Sequence, residues 1–184
     1  EEIGEYLEKN NIVSEAAFVK AAKDKEGYLF PDTYRLSVDI TAEEIVTTMV
    51  ENFQNRTDGL NVSEDDLILA SIIEREAKND NQRVKISGVY HNRLNIDMKL
   101  EADPTISYAK GTWSAPTISD LQLVDSPYNT YKYKGLPPGP ICSPGLASIK
   151  AAQNPEQHDY YYFLNAKNGD LIMSKNLDDH NANK

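Results

Sequence analysis

The sequence predicts an α+β fold, a helical first half followed by a loop-rich part with short antiparallel strands and a C-terminal hairpin. Three observations carry this. Capping signals and 3.6-residue apolar periodicity recur as far as about Leu94. From Met98 to Gly145 the chain turns rich in Pro, Gly, Tyr and Thr, with short strand candidates between long loops. Finally, "DYYYFLNAKNGDLIMS" sets Asn168-Gly169, a favoured type I′ turn pair, between two β-rich runs. Helices first and strands later is the order of an α+β domain.

The elements follow in order. "EEIGEYLEKNNIV" places Ile3 and Leu7 on one face, and Ser14 caps "EAAFVKAAK", so residues 1–26 read as two short helices. "EGYLFPDTYRL" mixes aromatic and turn residues and reads as loop or short strand. Thr41 and Glu44 form a capping box for "AEEIVTTMVENFQNR", whose inner face carries Ile45, Met49, Asn52 and Phe53. Ser63 and Asp66 form a second box ahead of "LILASIIEREAKND". Another helix starts near Asn79 or Asp80 and runs through "QRVKISGVYHNRL", and "ASIKAAQNP" is a short helix after the prolines.

At 184 residues, 40% hydrophobic and 26% charged, the chain has the composition of a soluble globular domain. Its net charge of −10 argues against nucleic acid and against adsorption to anionic lipid, and is compatible with a neutral or mixed-charge substrate such as a glycan. The single cysteine, Cys142, rules out an internal disulfide framework, and His91, His158 and His180 lack metal-ligand spacing. No apolar run reaches the ~18 residues of a membrane span. The chain opens without Met inside a helical pattern, so its start reads as trimmed.

The informative stretch is residues 67–80. Leu67, Ile68, Leu69, Ile72 and Ile73 cover most of the helix circumference, which predicts burial, yet Glu74 and Glu76 follow at once. Glu74 projects beside the small residues Ala70, Ser71 and Ala77, which leaves room for something to approach it. Glu76 projects beside Leu69, Ile72 and Ile73, which press on it. A carboxyl against apolar walls is costly to ionise, and a raised pKa suits a general acid for glycosidic cleavage. The pattern alone favours the plainer reading, in which both glutamates end the helix in ion pairs with Arg75, Lys78 or Arg83. "EADPT" offers Glu101 and Asp103 as second carboxylates, or only a turn. "YNTY" offers hydroxyls and an amide for sugar contacts, or a turn closure. "GLPPGPICSPG" is stiff enough to wall a cleft or to brace the fold. No nucleophile elbow, P-loop or dinucleotide fingerprint is present.

"EGYLFPDTYRL", "ASIIEREA", "HNRL", "KLEADPTISYA", "YNTYKYKGLPPGPICSPG" and "NLDDHN", in this order, resemble the MltG-type (YceG-like) endolytic murein transglycosylases from about Gly27 to Asn181. The resemblance implies an enzyme anchored in the cytoplasmic membrane by an N-terminal helix and facing the cell wall. It would cut nascent glycan strands between N-acetylmuramic acid and N-acetylglucosamine, leaving 1,6-anhydro ends. It implies no metal and no organic cofactor. Residues 1–26 would be the end of a LysM-like module and residues 27–184 the catalytic domain. The family motif puts the catalytic glutamate on Glu74. Tyr128, Asn129 and Thr130 are then the expected sugar contacts, with Asp103 and Glu76 in orienting or electrostatic roles. The expected partners are peptidoglycan strands and the cell-wall synthesis machinery. A non-catalytic glycan-binding module and a hydrolytic muramidase are the competing readings.

Overall fold

The structure is a computed structural model and describes residues 1–183. Its helices are α1 (Glu2–Lys9), α2 (Glu15–Ala21), α3 (Ala42–Arg56), α4 (Glu64–Glu76), α5 (Asp80–Asn95), α6 (Asp103–Ala109), α7 (Ile118–Leu123), α8 (Leu146–Gln153) and α9 (Leu177–Ala182). Strands β1 (Tyr162–Asn165) and β2 (Leu171–Ser174) pair antiparallel between α8 and α9. The α+β class holds.

The capping signals do what their chemistry predicts. Ser14, Thr41, Ser63 and Asn79 each accept a hydrogen bond from a first-turn amide, and Thr41 with Glu44 and Ser63 with Asp66 close complete capping boxes. Helix α4 is the central beam. Every residue from Leu67 to Ile73 is buried, as its all-round apolar surface requires. It packs against α8 and α5 and more lightly against α6. Ile86, Leu100, Ile141, Ile149 and Ala152 complete the main core. A second core joins Leu7 and Phe18 of the N-terminal helices to Leu29, Ile45, Val46 and Met49. Helix α3 serves both, since its Phe53 lies in the main core.

Two sequence expectations need correction. The stretch from Met98 to Gly145 contains α6 and α7 and, among the described residues, no strand. "ADPT" starts a helix because proline suits a first turn, where its missing N–H has no intrahelical partner to lose. Thr117 and Asp120 form a third capping box, and that starts α7. The hairpin turn is also not type I′. That turn needs φ > 0 at both central residues, and of the pair only Gly169 has it, at +93°. Gly169 N–H instead donates to the Ala166 carbonyl (2.9 Å), and Ala166 N–H to Asp170 (2.9 Å), which makes a longer loop closed by a left-handed glycine.

The hairpin is fastened to α5 by side chains. Gln82 donates to the Gly169 carbonyl (2.9 Å), and Asn92 to the carbonyls of His158 (2.8 Å) and Tyr160 (2.9 Å). Arg93, buried, donates to Tyr161 (2.6 Å), Leu100 (2.7 Å) and Lys99 (3.2 Å) and lies 3.5 Å from the Glu101 carboxylate. One guanidinium thus joins the hairpin to the segment that delivers Asp103.

Candidate active site

The small residues of α4 do admit a close neighbour, but it is the chain's own proline-rich segment. Ile141 N–H donates to Ser71 Oγ (3.0 Å), and Cys142 Sγ to the Ser71 carbonyl (3.3 Å). This segment braces the fold, and it leads to the start of α8. There Gly145 N–H (3.1 Å) and Ser148 Oγ (2.6 Å) both donate to Glu74 Oε2. Arg83 holds the other oxygen at 3.3 Å and also donates to Ser148 Oγ (3.0 Å). Helix α8 has no side-chain cap of its own. Glu74 supplies one from another helix, a carboxylate at the electropositive end. The ion-pair alternative with Arg83 is therefore realised for Glu74.

Glu76 has the opposite surroundings. Tyr90 Oη donates to its Oε1 at a long 3.4 Å, and Asn165 donates to its backbone carbonyl (3.4 Å). The residue keeps a partly accessible edge while protein atoms crowd the carboxyl on most sides. Burial, and after it the negative charge of Asp103, push the Glu76 carboxyl up to about 7, against the weaker opposing pulls of Tyr90 and Arg93. This agrees with the sequence reading, in which large apolar neighbours press on Glu76.

Asp103 is exposed at the first position of α6 and accepts a short hydrogen bond from Tyr131 Oη (2.5 Å). The Tyr131 phenol is pushed up by burial and by that carboxylate, so it stays a donor. Glu76, Asp103, Tyr90 and Tyr131 thus form one electrostatic group. A carboxyl half protonated near neutrality and facing a negative charge can give a proton and take it back.

Three expected sugar contacts are engaged within the protein. Asn129 is fully buried. Its amide donates to Val124 (2.8 Å) and Leu121 (3.2 Å), and its oxygen accepts from Tyr131 N–H (3.0 Å) and Lys132 N–H (3.2 Å). Thr130 Oγ1 accepts from Ala102 N–H (3.0 Å) and pairs with Thr105 Oγ1 (2.9 Å). Tyr128 is half-buried, its ring 4.8 Å from that of Tyr108. The "YNTY" stretch closes a turn that places Tyr131 beside Asp103. Sequence reasoning missed Tyr131 and Tyr90. The motif contained Tyr131, but only the pairing with Asp103 in space separates it from its neighbours. Glu101 turns to Arg93. Cys142 is buried and its thiol is pushed up to about 12, chiefly by burial, so it is no nucleophile. Among the described residues no cluster of His, Cys, Asp and Glu could hold a metal ion, and no helix is long and apolar enough to cross a membrane.

Fold and site together define an α+β domain built round a buried helix with a carboxyl of raised pKa at its end. The chain belongs to the YceG-like family, whose model matches residues 1–184. It is 42% identical over 168 residues to an endolytic murein transglycosylase of Bacillus subtilis (strain 168), covering 86% of this chain and 47% of that protein. It is 34% identical over 172 residues to an endolytic murein transglycosylase of Streptococcus pneumoniae serotype 2 (strain D39), covering 86% of this chain and 31% of that one. The chain thus spans about half or less of the curated relatives it matches. A crystal structure of a yceG-like protein from Listeria monocytogenes superposes with a TM-score of 0.77 at 39% identity, over 92% of this chain and 63% of that one.

Proposed function

We propose that this chain is the catalytic part of an endolytic peptidoglycan lytic transglycosylase that cleaves the β-1,4 bond between N-acetylmuramic acid and N-acetylglucosamine, with Glu76 as its acid and base. The observation that carries the reading is the Glu76 carboxyl at the end of α4, touched by Tyr90 Oη, raised to about 7 and acted on by Asp103, in a residue that is only partly buried. Family membership and the relatives' names supply the substrate class.

Protonated Glu76 donates its proton to the glycosidic oxygen as the bond from that oxygen to the muramic C1 breaks. The Glu76 carboxylate then accepts the proton of the muramic 6-hydroxyl while O6 bonds to C1. The products are a glycan with a free N-acetylglucosamine 4-hydroxyl and a 1,6-anhydromuramic end, and Glu76 is again protonated. Positive charge on the sugar during cleavage is met by its own N-acetyl group and by the carboxylate of Asp103, which Tyr131 fixes in place. Proton transfer and intramolecular attack need no cofactor. Glu74, where the family motif puts the acid, holds α8 against α4 in this reading.

The substrate lies outside the cytoplasmic membrane, so the domain works there, anchored in the full-length protein by an N-terminal helix and acting beside the cell-wall synthesis machinery. A second reading, hydrolysis, is favoured by one observation. Asp103 is near enough to act on Glu76 electrostatically, and a second carboxylate can direct a water. Mass spectrometry of digested un-crosslinked glycan separates the cases. Ring closure gives products about 18 Da lighter than hydrolysis, the mass of one water. Water-containing ends would overturn the ring-closing mechanism and keep the acid. Bound but uncut glycan would reduce the domain to a binding module.

A further inference from the structure

Arg75 sits between the two glutamates in sequence but points elsewhere. Its guanidinium pairs with Glu2 of α1 and sits over the Trp113 indole, 3.6 Å from the ring centroid. Trp113 belongs to the loop between α6 and α7, yet it is 40% exposed. Arg75 covers one face, so the exposed area is the other face and the rim. A cation stacked this closely holds the ring in one plane, and an ion pair holds the cation. The loop is fixed as well. Ser107 Oγ donates to the Ser114 carbonyl (3.1 Å), and Ser114 N–H to Thr112 Oγ1 (3.4 Å). Among the described residues the indole N–H has no hydrogen-bond partner.

The position of this ring gives it meaning. Arg75 is adjacent to Glu76 on α4. Ser107 lies one turn along α6 from Asp103, about 5.4 Å along the axis. Trp113 is therefore flanked by the same two helices that present the proposed acid and its carboxylate neighbour. A flat, electron-rich exposed face takes the C–H face of a pyranose, whose hydrogens carry partial positive charge. The free N–H is a donor for a sugar hydroxyl or an acetamido carbonyl.

We infer that Trp113, held by Arg75, is a sugar-stacking subsite that seats a pyranose of the glycan strand beside the C-terminal end of α4, the helix end that also carries Glu76. The inference rests on the glycan reading above and adds a residue that positions substrate and exchanges no proton.

Trp113 is the chain's single tryptophan, so its emission reports on this site alone. The test titrates Glu76→Gln protein with a fluorescein-labelled, un-crosslinked glycan tetrasaccharide. It follows fluorescein anisotropy, with unlabelled tetrasaccharide in a parallel titration for tryptophan emission. The expected result is that emission shifts with the same midpoint as anisotropy. Trp113→Ala should weaken binding about tenfold, the scale of one aromatic contact, and Trp113→Phe should keep most of it. With Glu76 intact, Trp113→Ala should raise KM and leave the pH profile of kcat in place, which a general loss of structure would not do. Binding by anisotropy with silent emission and an unweakened Trp113→Ala variant would overturn the subsite and leave the glycan reading standing. No anisotropy change at any concentration would overturn the glycan reading, and the subsite with it.

Discussion

Glu76→Gln is expected to abolish glycan cleavage and, at the same time, to make the protein more stable above pH 7. The catalytic part follows from the proposed role. Glutamine cannot donate or accept the proton in flight, and removal of a general acid and base commonly costs a factor of about 10²–10⁴. The stability part follows from the raised pKa, from 4.5 to about 7. A folded pKa above the unfolded one means that the fold prefers the protonated carboxyl. That contribution is complete below about pH 4.5 and is lost as pH rises through about 7. Glutamine resembles the neutral form and escapes the loss. Urea denaturation at pH 8 should find the variant more stable by about 1–3 kcal/mol, and the gain should vanish toward pH 4.5. Wild-type cleavage should decline above pH 7 as the acid deprotonates. Glu74→Gln should behave differently, losing about 1 kcal/mol through its weakened contacts to Arg83 and α8 while retaining measurable cleavage. If Glu76→Gln cuts glycan within tenfold of wild type, or is less stable at pH 8, the assignment of the acid to Glu76 fails.

Arg93→Met should produce the largest loss of stability of any single change near the site, about 3–5 kcal/mol, because removing a buried charge orphans the partners arranged round it. Three carbonyl oxygens, those of Lys99, Leu100 and Tyr161, lose their donor, and Glu101 loses its counter-ion. Methionine fills much of the volume, so the loss reports on polar contacts more than on a cavity. Because Arg93 opposes the rise of the Glu76 pKa, the alkaline limb of activity should also move to higher pH in the folded variant. A loss below about 1 kcal/mol in urea denaturation would contradict this role.

The helical half was legible because its signals are local. Capping boxes, a buried apolar run and a proline-bracketed helix depend on residues a few positions apart. Residues 98–145 misled because the same Pro, Gly and Thr content serves loops, strand ends and helix starts alike. The third capping box, Thr117 with Asp120, was a local signal for α7 that the reading passed over. Helical projection marked both glutamates as unusual, but it could not say what would occupy the space beside Ala70 and Ser71. That space is filled by residues about seventy positions downstream, and their arrival turns Glu74 into a helix cap. Tyr131 acts through Asp103, 28 residues away in sequence, and no periodicity encodes that pairing.

The second core runs across the boundary near residue 26 that sequence reading drew. Leu7 and Phe18 lie on one side of it, and Leu29, Ile45, Val46 and Met49 on the other. A fragment cut there would keep α3 with its main-core residue Phe53 in place and leave Leu29, Ile45, Val46 and Met49 uncovered to water. Such a stripe invites self-association, so the first two helices act as a solubility cap for the domain that follows. Any exchange of N-terminal modules in this family would have to match that stripe before it could succeed.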